Sequence, residues 1–503
     1  MTSASARRTT AQSICIIGAG PSGLAAAKYL IAEGNSSEIV IFEQRDNVGG
    51  LWNYTSIDED IHALPRIPLP QTDPYYVPHN SEQQHIIPGQ KPTFTTPIYD
   101  ELETNIPLEL LGYSDQGWAE ETPLFPDHAT VLKYLERYGQ KVRHLVRFAT
   151  QVLDVQLDAA EKWTVTTQAI GDMAGNKQTI KQSTTFDAVL VANGHYDVPF
   201  VPNTPGITEW NAAYPGRISH SKYFRQSKSY SGQKVVVVGN AASGSDIGRH
   251  IANYCSLPLI FSTRSENYFM PADTVSDRYD MRPEIVAYEI ANRAVRFADG
   301  SRVTDVDRIL YCTGYYYAYP FLKSLQKSAA PLIGDGTRVQ NLYRHLFYQP
   351  APTLIFLGLP QKVIPFTVAE VQGAVVAKVL AGKVELPSEP EMQAWEADEI
   401  EQRGDGRTFH TQPFPDDANY INTLHDWACS SEGGKRPPRW EEKQYWVRER
   451  FPKIRTAFIE LGKARTDVHR MEEVGFDFLQ WKLEAEQAQL LEDDVPHPEG
   501  QLA

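Results

Sequence analysis

An α/β fold with two parallel-sheet units is expected for this chain of 503 residues. Three observations lead there. Two glycine-rich loops each lie between an apolar run and a helix-like segment. Two later apolar runs share one layout, from Asp to a Gly-containing pair. A further run, Leu354 to Pro360, reads as a return of the chain to the first unit.

The first unit opens with Ile14-Cys15-Ile16-Ile17, a continuous apolar run that suits a strand covered on both faces. The loop Gly18-Ala19-Gly20-Pro21-Ser22-Gly23 follows, and Leu24 to Leu30 reads as a helix. Gly18 permits the tight turn, Gly20 admits a pyrophosphate to the backbone, and Gly23 lets helix and strand pack closely. The helix N-terminus then offers unpaired N–H groups to the phosphates. A second strand, Ile39 to Phe42, ends in Glu43-Gln44. An acid about twenty residues past the last glycine can accept hydrogen bonds from an adenine ribose. Next comes Asp46-Asn47-Val48-Gly49-Gly50-Leu51-Trp52. In FAD-binding folds of this kind, chain just past the second strand can run beside the flavin. Gly49-Gly50 would allow close approach, Leu51 follows, and Trp52 is either a wall of the ring or a core residue.

The second unit repeats the plan. Val235 to Val238 is a β-branched strand, Gly239-Asn240-Ala241-Ala242-Ser243-Gly244 the loop, and Ser245 to Ile251 the helix. Ala241 replaces the middle glycine, so its methyl narrows the approach to a pyrophosphate. The next strand, Leu259 to Thr263, ends in Arg264 rather than an acid. Arginine accommodates a 2′-phosphate that a carboxylate would repel, so the site reads as NADP-type.

The runs Phe186 to His195 and Val306 to Tyr315 end in Asn193-Gly194-His195 and Thr313-Gly314-Tyr315. Such strand ends lie near the junction of two dinucleotide domains. The helix expected from Pro365 to about Leu380 would point its N-terminus at the flavin pyrimidine, where negative charge on reduced flavin is stabilised.

These residues resemble the flavin-containing monooxygenases. The family's stretch FxGxxxHxxx(F/Y) is present as Tyr214-Pro215-Gly216-Arg217-Ile218-Ser219-His220-Ser221-Lys222-Tyr223-Phe224, with Tyr214 in place of Phe. A second element, Tyr99-Asp100-Glu101-Leu102-Glu103-Thr104-Asn105-Ile106-Pro107, carries an Asn that the family places beside the flavin for oxygen activation. The resemblance implies that role for Asn105, with Thr104 beside it. It implies a cofactor-side or hinge role for His220, and a contact at Thr313, Gly314 and Tyr315. It also implies the chemistry: NADPH reduces FAD, O₂ gives a C4a-hydroperoxide, and oxygen passes to a soft nitrogen or sulfur nucleophile of a small molecule. The cofactor carries that chemistry, and the protein orients it and excludes water. The matching spans about residues 13–425.

Composition narrows the alternatives. Net charge is −15, without the basic stripe of a nucleic-acid surface. No apolar run is long enough to span a bilayer, and residues 1–12 lack the apolar centre of a secretory signal, so a soluble cytoplasmic protein is expected. The four cysteines, Cys15, Cys255, Cys312 and Cys429, form no C-x-x-C pair. That disfavours a disulfide reductase of the same architecture. The stretch from Ser56 to about Pro97 reads as a long excursion, either lid or wrapping loop. The tyrosines of Tyr315 to Tyr319 read as packing rather than a substrate passage, and the acids of Glu396 to Glu401 as a solvated helix face.

The expected architecture is therefore two Rossmann-like dinucleotide-binding domains. An NADP domain, about 214–325, is inserted in a discontinuous FAD domain, about 1–213 and 326–503, the latter ending in a helical extension. Baeyer–Villiger or N-hydroxylating oxygenation, uncoupled NADPH oxidation and non-enzymatic nucleotide sensing remain open at this stage, as does homo-oligomerisation.

Overall fold

Seven strands form the larger sheet in the order Leu342–Tyr343, Phe347–Tyr348, Leu354–Phe356, Ala188–Val191, Ser13–Ile17, Glu38–Phe42, Val146–Arg147. The computed structural model describes residues 9–56, 84–85, 93–170, 180–264 and 277–493. The apolar run at Ser13–Ile17 is the central strand. It pairs in parallel with Glu38–Phe42 on one side and Ala188–Val191 on the other. Leu354–Phe356 lies parallel to Ala188–Val191, so the chain does return to the first sheet.

Two helices cover one face of that sheet. Pro21–Glu33 and Pro365–Leu380 pack closely because small residues line their contact. A Cβ on Gly373 would meet the Ala26 backbone at 3.1 Å. Phe366 to Leu380 is buried throughout, so its polar side chains need partners. Glu370 accepts from Ser114 N–H and Oγ at 2.7 Å each, and Gln372 accepts from Gly358 N–H at 2.9 Å. Lys378 donates to the carbonyls of Glu432 and Gly433.

The smaller sheet is wholly parallel, in the order Ile218–His220, Arg308–Tyr311, Val235–Val238, Leu259–Ser262, Tyr279–Arg282. Val201, Ile207 and Trp210 pack beneath it with Ile218, Val236 and Ile309. The chain crosses between the sheets twice. The crossing segments pair as an antiparallel ribbon, Val198 with Tyr316 and Pro199 with Tyr315. Two three-stranded antiparallel sheets are attached, Thr150–Leu157, Trp163–Ala169, Lys181–Phe186 and Ile285–Glu289, Ala294–Phe297, Arg302–Val303. Four α-helices follow Pro365–Leu380 among the described residues: Glu389–Arg403, Asp416–Ala428, Glu442–Glu460 and Phe478–Asp493. No helix among the described residues is long and apolar enough to cross a membrane.

The acids from Glu396 to Glu401 do not form one solvated face. Asp398 and Glu401 are exposed, but Glu396 is buried beside Arg338 at 2.8 Å. It also accepts from Asn341 N–H and Gln349 Nε2 at 2.8 Å each. Every third or fourth residue of this helix faces the protein, and the acid at that position is there to meet a buried arginine. Tyr317 and Tyr319 are core residues, whereas Tyr315 and Tyr316 reach a cavity wall. Cys15 and Cys312 are buried, with burial pushing the Cys312 thiol up to about 12. The excursion from Ser56 to Pro97 falls mostly outside the described residues.

Candidate functional site

Both glycine loops open onto one cavity of about 1770 Å³ between the two sheets. A single drug-sized ligand takes about 300–1,000 Å³, so the space suits more than one extended ligand.

At the first loop Gly18 has φ +106°, and a Cβ there would strike the Ala192 carbonyl oxygen at 2.5 Å. Gly20 and Gly50 face each other. A Cβ on Gly50, itself at φ +57°, would meet Gly20 Cα at 2.9 Å. The Gly49 N–H donates to the Ala19 carbonyl at 3.0 Å, which ties the second glycine pair to the first loop. Helix Pro21–Glu33 starts without a side-chain cap, so its first N–H groups are open to an anion. Glu43 is 3% exposed. Its Oε2 accepts from Ala19 N–H at 2.8 Å and its Oε1 from Arg45 N–H at 2.9 Å. Two backbone donors thus fix the carboxylate and leave lone pairs for ribose hydroxyls. An open helix end, a slot of bare backbone and a fixed carboxylate together fit a ribose-pyrophosphate.

The second loop repeats this geometry. Gly239 has φ +98°, and a Cβ there would meet the Cys312 carbonyl oxygen at 2.8 Å. Ala241 sits at φ −67° and Gly20, its counterpart in the first loop, at φ −78°, so the backbone conformation admits a side chain at either position. Helix Ala242–Ile251 also starts without a side-chain cap. Arg264 stands on the cavity rim, and its Nε lies 2.9 Å from Glu284 Oε2. Both side chains are largely exposed, so this pair is weak and exchangeable.

The cavity wall brings together most of the residues singled out from sequence. Gly18, Gly20, Pro21, Ser22, Glu43 and Gln44 line its first end, with Gly50, Leu51 and Trp52 beside them. Thr104 and Asn105 line the same cavity. Gly239, Asn240, Ala242, Ser243, Arg264, Thr313, Gly314 and Tyr315 line its second end. Pro365 and Phe366, at the start of the long buried helix, also reach the wall.

Three expected contacts lie off it. Gly23 and Gly244 are packing positions behind the loops. A Cβ on either would fall 2.0 Å from a loop carbonyl oxygen, that of Gly18 or Gly239. Of the cofactor-side and hinge positions expected for His220, the second fits its surroundings, because it is fully buried and off the wall. Its Nε2 faces the Gly314 carbonyl at 3.0 Å, and its Nδ1 accepts from Lys222 N–H at 3.1 Å. A carbonyl only accepts, so Nε2 carries the proton and the ring is neutral. Burial accordingly lowers its pKa to about 3. The histidine pins the start of the inserted sheet to the crossing segment at Gly314.

Other wall residues gave no sequence signal. Arg407 lies in a polar turn after helix Glu389–Arg403, yet its guanidinium sits 4.1 Å over the Phe200 ring. Its Nη2 donates to the Thr313 carbonyl at 3.1 Å, and its buried Nη1 has no partner among the described residues. Phe414, in the turn before helix Asp416–Ala428, and Arg448 and Phe451, on helix Glu442–Glu460, also line the cavity. Arg448 is fixed by Asp417 at 2.6 Å and by the Lys362 carbonyl at 2.9 Å. Periodicity could mark these helices as amphipathic, but not what their inner faces cover.

Comparison with known proteins gives the same picture. The sequence profile of the family described as "Flavin-binding monooxygenase-like" matches residues 93–281 and 266–437, and that of an "NAD(P)-binding Rossmann-like domain" matches 16–68. Flavin-containing monooxygenase ustF2 of Aspergillus flavus is 29% identical over 87% of this chain and 97% of its own length. Flavin-containing monooxygenase FMO GS-OX-like 7 of Arabidopsis thaliana is 34% identical over 76% of each chain. Among solved structures, S-allyl-L-cysteine S-oxygenase from Allium sativum superposes with a TM-score of 0.72 at 27% identity, covering 95% of this chain and 98% of its own. Tmm from a Pelagibacter strain, at 23% identity and a TM-score of 0.65, shares the fold. With two dinucleotide cradles on one cavity and a family match across most of its length, this chain belongs to the flavin-binding monooxygenases and takes FAD and NADPH as cofactors.

Proposed function

We propose that this chain is an NADPH- and O₂-dependent oxygenase of a soft nucleophile in a small molecule, sulfur in the first instance and nitrogen as the alternative. The observation that carries this reading is that two uncapped helix ends open on one cavity whose wall also includes Asn105. The S-oxygenase named above, which is similar over nearly the whole chain, favours sulfur.

In this reading the flavin domain comprises about residues 1–213 and 326–503, and the nucleotide domain about 214–325. Gly18, Gly20, Pro21 and Ser22 hold the FAD pyrophosphate, while Glu43 and Gln44 hold its ribose. Gly50, Leu51 and Trp52 run along the ring, and Thr104 fixes the backbone before Asn105. When bound, reduced flavin and O₂ supply the oxygenating chemistry. Asn105 offers the reacting face both a donor and an acceptor without a charge. Gly239, Asn240, Ala242 and Ser243 receive the NADPH pyrophosphate, with Thr313, Gly314 and Tyr315 across from them. Arg264 receives the 2′-phosphate, and the unpaired Nη1 of Arg407 adds a second cation on that side. Phe414 and Phe451 wall the cavity and keep water from it.

Two outcomes test this. NADPH consumption should rise on adding a thioether, with sulfoxide formed in proportion and little hydrogen peroxide. Consumption that ignores every thioether and amine, with all oxygen recovered as peroxide, overturns the reading; a lactone from a ketone would move it to the Baeyer–Villiger class. Arg264→Ala should raise the KM for NADPH by about 10-fold or more while leaving that for NADH nearly unchanged, since a charge-assisted contact to phosphate contributes about 1.5–3 kcal/mol. Equal changes for both nucleotides would contradict the 2′-phosphate assignment.

A further inference from the structure

Three remote segments meet in an ion cluster at the cavity edge. Arg455 belongs to helix Glu442–Glu460, past residue 437 where the family match ends. Its guanidinium lies over the Phe125 ring at 4.9 Å. Its Nη2 lies 3.2 Å from Glu103 Oε2 and 3.8 Å from Asp246 Oδ1. Glu103 stands two residues before Asn105, and Asp246 sits on the helix that begins at the second loop. Both carboxylates line the cavity.

One guanidinium nitrogen therefore serves an acid from each dinucleotide unit. Each acid has further partners of its own. Glu103 is held by Arg465 Nη2 at 2.9 Å. Asp246 accepts from the Tyr99 hydroxyl and from Arg249, with His250 Nε2 at 3.6 Å. Burial opposes the charge on Asp246, but His250, Arg249 and Arg455 hold its carboxyl down at about 2. It is thus an anion throughout the neutral range.

Arg455 is used unusually. Its side chain is 7% exposed, and its Nη1 is buried without a hydrogen-bond partner among the described residues. Arginine–carboxylate pairs are frequently two-pronged, with both nitrogens on one acid. An unpaired buried donor carries a desolvation penalty instead. Here the fork is left undone, and the residue spans two acids whose separation depends on how the nucleotide unit sits against the flavin unit. A rotation of the nucleotide unit would take Asp246 away from Arg455 and leave that guanidinium to Glu103 alone, which changes the pull on the segment that carries Asn105.

We propose that Arg455 is a positioning residue that couples the orientation of the nucleotide unit to the Asn105 segment, so that bound nicotinamide dinucleotide and Asn105 stay in register. The inference rests on the function proposed above.

The test uses the full-length, flavin-loaded protein and the variants Arg455→Gln, Arg455→Lys and Asp246→Asn. NADP⁺ affinity is measured by calorimetry, and the share of NADPH electrons lost to peroxide is measured with a thioether present. Arg455→Gln and Asp246→Asn should each weaken NADP⁺ binding and raise the peroxide share by about five- to tenfold. Arg455→Lys should fall between them and the parent, and the double variant should be no worse than either single one. The sign for Asp246→Asn is diagnostic, because removing a negative charge near phosphates would otherwise tighten binding. NADP⁺ affinity and peroxide share within about twofold of the parent overturn the proposal, even where the melting temperature falls. If Arg455→Gln does not fold, Asp246→Asn decides alone. A parent protein that oxygenates nothing defeats the proposed function, and the NADP⁺ arm still decides the coupling.

Discussion

Gly23→Ala is expected to cost the protein its flavin while Gly244→Ala costs it only its nicotinamide nucleotide. In each loop the added Cβ would fall 2.0 Å from a carbonyl oxygen of the first loop glycine, Gly18 or Gly239. Neither oxygen is the end of a flexible side chain, so the loop backbone must move. Gly18 cannot retreat freely, because its own α-carbon faces the Ala192 carbonyl oxygen, 2.5 Å from where a Cβ would stand. Overpacking of this kind costs about 1–3 kcal/mol, and 1.4 kcal/mol is about tenfold in affinity. The ratio of flavin to protein absorbance should therefore drop sharply in Gly23→Ala and stay at the parent value in Gly244→Ala. Calorimetry with NADP⁺ should give the converse. Gly23→Ala protein that holds flavin one-to-one after dialysis would contradict the cradle assignment.

Asn105→Ala should leave flavin and NADPH binding intact and remove productive oxygenation. The segment is anchored independently of its side chain: Thr104 N–H donates to the Pro126 carbonyl at 2.9 Å, and Glu103 is held by Arg455 and Arg465. Truncation therefore deletes a hydrogen-bonding group without moving the wall. Removal of one preorganised donor typically lowers kcat by about 10²- to 10³-fold. The expected signature is an unchanged rate of anaerobic flavin reduction, loss of oxygenated product and a rise in peroxide. An unchanged product yield would return Asn105 to the role of a turn residue before Pro107.

The sequence was most informative where backbone geometry is dictated locally. Positive φ at Gly18 and Gly239, the open helix starts and the Glu43 carboxylate all follow from motifs a few residues long. The parallel strands were legible because burial on both faces leaves an uninterrupted apolar run. His220 was left between a cofactor-side and a hinge role because a spacing motif records that a side chain is needed, not which way it turns. Here it turns inward to Gly314. Arg407, Phe414 and Arg448 were invisible because nothing local places a turn after residue 403 or the inner face of a late helix against a cavity. Glu396 was missed for the related reason that an acid on a polar helix reads as solvated until its buried partner, Arg338, is known. The antiparallel strands from Thr150 to Phe186 carry mixed polar patterns and are defined mainly by pairing with one another.

The proposed function turns on where the electrons from NADPH go. The most direct measurement is turnover with a thioether under ¹⁸O₂, followed by mass spectrometry of the product. A sulfoxide carrying a single ¹⁸O atom is expected, formed in proportion to the NADPH consumed. NADPH consumption with unlabelled substrate recovered intact, and all of the label in hydrogen peroxide, would contradict it.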